Sequence, residues 1–86
     1  MHFGTNIRIL RKRKGRTQGD VASALGINRS TYNNYENQIA RPGVDALVAF
    51  SEYFGIAIDT LLKVDLDKLS ESQFSQLEKG YDVYIR

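Results

Sequence analysis

The sequence predicts a small all-α protein of five short helices, followed by a helical and extended segment at its C-terminal end. Apolar residues recur every three or four positions over most of residues 1–63, which is the spacing of one helix face. Side chains that cap helices precede these stretches, and glycines follow several of them. With 86 residues and no cysteine, the chain has room for one core and cannot form a disulfide framework.

The first two helices each begin near a threonine and end at a glycine. We expect Thr5 to cap the first helix and Gly15 to stop it, with basic residues in the last turn, where they complement the helix dipole. We expect the second helix to begin after Thr17, with Asp20 as a short form of the capping-box acid, and to end at Gly26.

The third helix has the most informative surface of the chain. It is predicted to begin after Asn28, a favourable capping residue, and to end at about residue 37. Because successive residues are about 100° apart around a helix, Tyr32 and Tyr35 define the inward face and Glu36 falls at its edge. Small polar or basic side chains occupy the other positions, namely Arg29, Ser30, Thr31, Asn33, Asn34 and Asn37.

This outward face differs from the rows of Lys and Glu that usually cover a solvated helix. Asparagine is a mediocre helix former, so its repetition indicates another purpose. In the major groove of DNA, Asn pairs with adenine and Arg with guanine, while Ser and Thr contact bases or phosphates. Ordinary surface polarity is the alternative for Asn33 and Asn34, whereas Tyr32 and Tyr35 are predicted to be core residues.

Two further helices complete a predicted domain of residues 1–63. A turn at residues 40–43 precedes the fourth helix, which ends at Gly55. Asp59 is the predicted cap of a short fifth helix that carries Leu61 and Leu62. The residues that recur at helical spacing in the fourth helix are Val44, Leu47, Val48, Phe50, Ser51 and Phe54.

Residues 64–86 are predicted to be a linker or a dimerisation segment. Ser70 can cap a short helix over about residues 70–79, with Phe74 and Leu77 as its apolar pair. Residues 81–86 alternate in polarity and are predicted to form a strand. Because a lone strand is not stable, either a second copy of the chain pairs with it or the sequence continues into a longer protein.

Charge is distributed unevenly along the chain. Residues 1–41 contain eight basic residues and two acidic ones, a net charge of +6. Residues 42–86 contain four basic and eight acidic residues, a net charge of −4. This asymmetry indicates one surface that faces a polyanion and another that avoids it, although the basic run at residues 11–16 is also typical of a solvated helix end.

Several function classes are disfavoured by the same residues. The single histidine, His2, lies near the start of the chain without a paired nucleophile, so no enzyme is expected. The acidic residues and glycines form no calcium loop or phosphate-binding pattern, so we expect no metal and no cofactor. No signal peptide or apolar run of about 18 residues is present, which predicts a cytoplasmic protein without membrane contact.

Residues from about Asn6 to Leu62 resemble the helix-turn-helix domain of the phage-repressor and Cro type, often called the XRE family. The resemblance predicts a five-helix phage-repressor-like domain. It rests on the order and spacing of Arg11, Thr17-Gln18, Val21-Ala22, Leu25-Gly26-Ile27, Arg29-Ser30-Thr31, Tyr35-Glu36, Pro42 and Phe54-Gly55-Ile56.

The family resemblance and the charge pattern together imply roles for individual residues. The residues expected to face bases in the major groove are Arg29, Ser30, Thr31, Asn33 and Asn34. The residues expected to contact phosphates are Arg16, Thr17, Gln18, Asn37 and Arg41, with Arg13 and Lys14 adding to the salt-dependent affinity. Gln18 is also implied to buttress the third helix. Arg11 and Glu36 are implied to form an internal ion pair between the first and third helices.

The chain departs from the family pattern at three positions, and its tail has a resemblance of its own. Gly19 replaces a helix former, Gln38 replaces a glycine after the third helix, and Gly43 replaces a capping serine. Asn37 or Gln38 is therefore expected to adopt an unusual backbone conformation, unless the loop differs. Residues 59–86 resemble the linker of repressor-like regulators that continue into a LexA-like domain, so a C-terminal sensor domain in the same chain is a possible partner.

The sequence therefore predicts a sequence-specific regulator that binds double-stranded DNA. A repressor acting as a homodimer on a near-palindromic operator is the expected form, with half-sites about 34 Å apart. The alternative is an antitoxin or another protein-interaction module with the same fold. Apolar residues on the outward face of the third helix would favour that alternative, whereas Arg29, Ser30, Asn33 and Asn34 favour DNA.

Overall fold

A computed structural model describes residues 1–80, and all regular structure in this range is helical. The expected strand at residues 81–86 lies outside the described residues. The elements are α1 (Phe3–Arg13), α2 (Gln18–Leu25), α3 (Arg29–Glu36), α4 (Val44–Phe54), α5 (Ile58–Lys63), a 3-10 turn (Leu66–Lys68) and α6 (Glu71–Glu78). The all-α fold class predicted from the sequence is confirmed.

Helix α1 begins two residues before the predicted cap. Thr5 is exposed and lies inside the helix, so the expectation that it caps α1 is wrong. The start is instead held by long-range contacts. The backbone N–H of His2 donates to the Leu62 carbonyl at 3.1 Å, and the buried Phe3 ring lies edge-on to Phe50 with centroids 5.2 Å apart. These contacts stabilise the first turn where no side-chain cap is present.

The boundaries of α2 and α3 follow the local signals. Thr17 and Asp20 form a reciprocal capping box, with each side chain accepting the other residue's backbone N–H at 2.9–3.0 Å. Gly26 ends α2 with φ of +70°, a conformation that favours glycine. The Asn28 side chain then accepts the Thr31 backbone N–H at 2.8 Å, which caps α3. A tight turn therefore separates the two helices.

The core lies where α1, α3 and α4 meet. Tyr32 of α3 and Phe50 of α4 are almost completely buried, with Ile7 of α1 beside them in the same cluster. Val44 and Val48, which the spacing placed on the buried face of α4, are 76% and 40% exposed. That prediction is wrong because α4 packs on the core through Leu47 and the aromatic residues of its second half, whereas Val44 and Val48 are not among the packed side chains.

The segment after residue 63 packs on α1. The buried side chain of Asn6 donates to the Leu61 and Val64 carbonyls at 2.9 and 2.7 Å and accepts the Leu66 backbone N–H at 3.1 Å. Leu66 is fully buried, and Phe74 and Leu77 of α6 are 5% and 6% exposed. Residues 64–80 are therefore docked on the helical core, while the domain boundary near residue 63 stays a prediction.

Arg13 anchors α6 at the end of α1. Its guanidinium lies 4.0 Å from the centroid of the Phe74 ring and donates to Glu71 at 3.0 Å and Glu78 at 2.9 Å. These two carboxylates raise the pKa of Arg13. Its positive charge is thus paired with two carboxylates of the same chain. This pairing weighs against the expectation that Arg13 adds to the salt-dependent affinity for phosphates.

The loop between α3 and α4 contains a strained residue. Gln38 has φ of +58°, which is the unusual conformation expected at residue 37 or 38. Gly4 of α1 lies against this region, since a side chain there would begin 2.6 Å from the backbone carbonyls of Tyr35 and Glu36. The absence of a side chain at Gly4 lets the start of α1 approach the end of α3.

Within residues 1–80, no helix has the length and apolar character needed to cross a membrane.

Candidate nucleic-acid interface

Helices α2 and α3 place four polar side chains around one open depression. The depression has a volume of about 430 Å³ and is lined by Gln18, Arg29, Ser30 and Asn33. Gln18 is the first residue of α2 and Arg29 the first of α3, so the tight turn between the helices brings both N-terminal ends to one side. All four residues were singled out from the sequence.

The predicted base-facing residues differ in exposure. Arg29 and Ser30 are exposed, whereas Thr31, Asn33 and Asn34 are half-buried. Arg29 makes no salt bridge with any residue in the range 1–80. Its guanidinium is therefore available to an external acceptor.

Ser30 and Thr31 take part in the cap of α3. The Ser30 hydroxyl donates to the Asn28 side-chain oxygen at 2.9 Å, and the Thr31 backbone N–H donates to the same atom at 2.8 Å. The Ser30 oxygen still offers lone pairs to a donor. Its proton is used inside the protein, so Ser30 is better suited to accept than to donate.

A buried carboxylate lies behind this surface. Glu36 of α3 is 3% exposed, and its two oxygens accept hydrogen bonds from three side chains. Arg11 donates through Nε at 2.7 Å and through Nη2 at 3.3 Å, Gln18 donates through Nε2 at 3.1 Å, and Arg8 donates through Nε at 3.4 Å. Glu36 therefore joins α1 and α2 to α3.

The pKa of Glu36 reflects two opposing effects. Burial raises it, since the charged carboxylate loses hydration. Together, the hydrogen bonds from Arg11 and Gln18, the nearby Tyr32 hydroxyl and the charge of Arg11 outweigh burial, so the net pKa lies below the ordinary value and the group is ionised at neutral pH. Glu36 correspondingly raises the pKa of Arg11. The carboxylate consequently acts as an acceptor only.

Tyr32 contributes a buried hydroxyl to the same region. Its oxygen has no hydrogen-bond partner of good geometry among residues 1–80. Burial raises the pKa of Tyr32, and the adjacent Glu36 carboxylate raises it further. Tyr32 is thus a core residue, as predicted, and its hydroxyl faces the Arg11–Glu36 pair rather than solvent.

The Glu36 network reaches two asparagines, one in the middle of α3 and one directly after its end. Gln18 Nε2 also donates to the Asn33 side-chain oxygen at 3.0 Å, and Arg8 Nη2 donates to the Asn37 side-chain oxygen at 3.1 Å. Sequence reasoning did not single out Arg8. Its position three residues before Arg11, on the same face of α1, is the signal that could have linked Arg8 to Glu36.

The remaining predicted phosphate contacts lie around this face. The Arg16 carbonyl accepts from Arg11 Nη1 at 3.0 Å, which fixes the turn before α2, while the Arg16 side chain is exposed. Thr17 is exposed, and its hydroxyl oxygen is engaged in the α2 cap. Arg41 is not in the depression. It borders a separate cavity of about 230 Å³ that Gln38 and Pro42 also line.

Comparison with known proteins assigns the region from α1 to α5 to a protein family. Residues 7–61, more than half of the chain, match the protein family described as Helix-turn-helix. No solved structure matches the chain at a significant level.

Three curated relatives illustrate the similarity. The prophage-derived transcriptional regulator YonR of Bacillus subtilis is 36% identical over 72 residues, which cover 78% of this chain and 67% of YonR. The transcriptional regulator ImmR of Bacillus subtilis is 30% identical over 84% of this chain and 58% of ImmR. The phage CTXphi transcriptional repressor RstR of Vibrio cholerae is 25% identical over 88% of this chain and 71% of RstR.

The matched segments cover between about half and about two thirds of the length of three Bacillus subtilis relatives. They cover 67% of YonR, 53% of YqaE and 59% of AnsR. All of these relatives are described as transcriptional regulators of the helix-turn-helix type, which is a class of regulators rather than enzymes.

Proposed function

We infer the function of this chain from one premise: it belongs to the helix-turn-helix family of transcriptional regulators, of the phage-repressor and Cro type. We propose that it binds double-stranded DNA sequence-specifically, with α3 in the major groove. We propose that it acts in the cytoplasm, the compartment that holds the DNA of bacteria such as those of its relatives.

The observation that carries this proposal is the surface of α2 and α3. Arg29 is exposed and free of salt bridges within residues 1–80, and it lies beside Gln18 and Asn33 in one depression. An α-helix fits the major groove, where Arg and Asn side chains distinguish base pairs by hydrogen bonding. Because this face is polar, it would bury little apolar surface against a protein partner. Its composition therefore supports DNA over the antitoxin or protein-interaction alternative.

Phosphate contacts are proposed to orient the domain on the duplex. Arg16 lies two residues before α2, Gln18 is the first residue of α2, and Asn37 follows the end of α3. The Gln18 side-chain amide donates to Asn33 and Glu36, so its backbone N–H at the helix N-terminus is the group proposed for a phosphate. Donors at both ends of the helix-turn-helix unit suit the two sugar–phosphate backbones that border a groove. Arg41, in the loop before α4, adds a positive charge outside the depression.

We further propose that two copies bind together and act as a repressor. One helix contacts only a few base pairs, which is a small area for tight selective binding. Two copies on a near-palindromic operator, with half-sites about 34 Å apart, double that area. The relative RstR is described as a transcriptional repressor, which supports the direction of regulation.

Selection of duplexes from a randomised pool at near-physiological salt tests the proposal. We expect a two-fold symmetric motif whose half-site spacing measures the dimer geometry. The double variant Arg29→Ala and Asn33→Ala is expected to lose the motif while remaining folded. Lys63→Ala is the matched control, because Lys63 is exposed on α5 and its removal also deletes a charge. A chain that binds no DNA sequence above background would contradict the proposal and favour a protein partner.

A further inference from the structure

Arg8 of α1 is a basic residue that has no role in the proposed function. Its side chain is 42% exposed and extends from α1 to the end of α3. Its Nε donates to Glu36 at 3.4 Å, and its Nη2 donates to the side-chain oxygen of Asn37 at 3.1 Å. Asn37 follows the last residue of α3 and is exposed. Arg8 therefore brings a charged donor from α1 to the surface at the C-terminal end of α3.

The charge of Arg8 is not cancelled by Glu36. Arg11 holds this carboxylate through two hydrogen bonds at 2.7 and 3.3 Å, and the Arg11 side chain is 12% exposed. The contact from Arg8 to the same carboxylate is longer, at 3.4 Å, and involves one nitrogen. Because one carboxylate faces two guanidinium groups, the three side chains together keep a net positive charge. Arg11 is buried against Glu36, so the surplus charge is accessible at Arg8.

The contact with Arg8 also determines the orientation of the Asn37 amide. A guanidinium has five N–H donors and no acceptor, so the Asn37 atom that lies 3.1 Å from Nη2 is the oxygen. Asn37 is exposed, so its NH2 group can donate to an external acceptor. The oxygen and nitrogen of an amide are bonded to the same carbon. The Asn37 NH2 group and Nη2 of Arg8 are therefore close enough for one phosphate to accept hydrogen bonds from both.

On the basis of the proposed function, we propose that Arg8 and Asn37 together bind one phosphate of the DNA backbone, which makes α1 part of the DNA interface. A guanidinium beside an amide NH2 group supplies a positive charge and directed donors, a combination that suits phosphate oxygens. A phosphate is favoured over a base edge because of position. Asn37 lies about 12 Å along the helix axis from Arg29, which borders the depression proposed to face the bases.

A purely structural role for Arg8 is the alternative. A cation near the C-terminal end of a helix interacts favourably with the helix dipole, and Arg8 also donates to Glu36. The two roles predict opposite effects when aspartate replaces Asn37. Within the protein, aspartate would strengthen the contact with Arg8, because a carboxylate accepts a charge-assisted hydrogen bond. Toward a phosphate, aspartate would present a negative charge in place of an N–H donor.

Salt titrations of DNA binding test the inference on two duplexes, one of a sequence that the wild type selects and one of unrelated sequence. Arg8→Gln removes the charge and keeps a donor for Glu36, so the slope of log K against log salt should fall by about 0.9 on both duplexes. Between 50 and 200 mM salt, the wild type should then lose about threefold more affinity than this variant.

A second variant and a control separate the phosphate contact from a structural effect. Asn37→Asp should weaken binding to both duplexes without lowering the melting temperature. Lys63→Gln removes the same charge from α5, where Lys63 is exposed, and should leave the slope unchanged. Melting temperatures of all three variants are measured alongside.

The outcomes distinguish this inference from the proposed function. If the folded wild type binds neither duplex, the proposed function and this inference both fail. If the wild type binds DNA but Arg8→Gln keeps its slope, or Asn37→Asp keeps its affinity, the phosphate contact is wrong while DNA recognition stands. A lower melting temperature of Arg8→Gln with an unchanged slope is the signature of a purely structural role and overturns the inference. So does a changed base preference of Arg8→Gln, since a phosphate contact carries no sequence information.

Discussion

Arg11 of α1 and Glu36 of α3 form a two-point ion pair, with Nε–Oε2 at 2.7 Å and Nη2–Oε1 at 3.3 Å. The Arg11 side chain is 12% exposed and that of Glu36 is 1% exposed, so both charges are largely withdrawn from water. Desolvation offsets much of the attraction in such pairs, which more often define geometry than add net stability. Here the pair determines how α3 is seated against α1.

Glu36 is expected to make stability depend on acid pH. Its pKa is lowered in the folded state, so its contribution is fully present above the unfolded pKa, about 4.3, and is lost as pH falls through the lower folded value. Glu36→Gln should destabilise the protein by about 3–5 kcal/mol at neutral pH, because Arg11 is left buried without its partner. Chemical unfolding from pH 7 to pH 3 should show this difference shrinking at the acid end. A difference that stays constant would contradict the assignment.

Arg29 is expected to determine base preference at one position. It begins α3, is exposed and borders the depression with Asn33. Arg29→Ala should reduce discrimination at one base pair by about 1–3 kcal/mol, with little change in melting temperature. Binding to a set of single-substituted operators measures this. Unchanged preference at every position would exclude a base-reading role.

Arg16 and Arg13 are expected to behave differently although both lie near the end of α1. Arg16 has an exposed side chain beside α2, so Arg16→Ala should weaken binding to all sequences and reduce the slope of log K against log salt by about 0.9. Arg13 is engaged with Glu71 and Glu78, so Arg13→Ala should lower stability slightly and leave the slope unchanged. Salt titrations of both variants are the check, and equal slopes for the two would contradict this division.

Asn6 is expected to be essential for docking the segment after residue 63. Its amide pairs with the backbone of Leu61, Val64 and Leu66. Asn6→Ala should cost about 1–3 kcal/mol for each buried backbone group that is left unpaired. The neighbouring exposed substitution Thr5→Ala is the control and should change stability little. Denaturant unfolding compares the two, and similar midpoints would show that water replaces the amide.

Gln38 is expected to be replaceable by glycine with a gain in stability. Its φ of +58° costs a side-chain-bearing residue about 1–2 kcal/mol relative to glycine. Gln38→Gly should raise the free energy of unfolding by about 1 kcal/mol, partly offset by the entropy that glycine adds to the unfolded chain. Asn37→Gly, at an ordinary φ of −86°, should instead destabilise. Thermal unfolding of both variants measures the contrast.

The sequence was most informative where structure depends on near neighbours. The cap residues Thr17 and Asn28 and the stop at Gly26 act over four residues or fewer, and the structure has them as expected. The unusual backbone near Gln38 was foreseen for the same reason. The outward polar face of α3 followed from helix periodicity, and its contact with bases stays a prediction.

Pairings between distant residues were harder to foresee. Nothing local indicates that Arg13 faces Glu71 and Glu78, or that Arg8 reaches Asn37, because these partners are 29–65 residues apart. The start of α1 was misplaced because the contacts of His2 and Phe3 with distant residues stabilise the first turn. The exposure of Val44 depends on where the core ends, and the periodicity of one helix carries no information about that position.

The sequence by itself determined the helix-turn-helix unit, its boundaries and the composition of its outward face, since caps, turns and periodicity are properties of short stretches of chain. Tertiary structure decided which charges are free and which are engaged. Packing α1 and α2 against α3 buried Glu36 among three donors, and those donors then set the orientation of Asn33 and Asn37. The direction of a hydrogen bond depends on its partner, and only the folded chain brings these partners together.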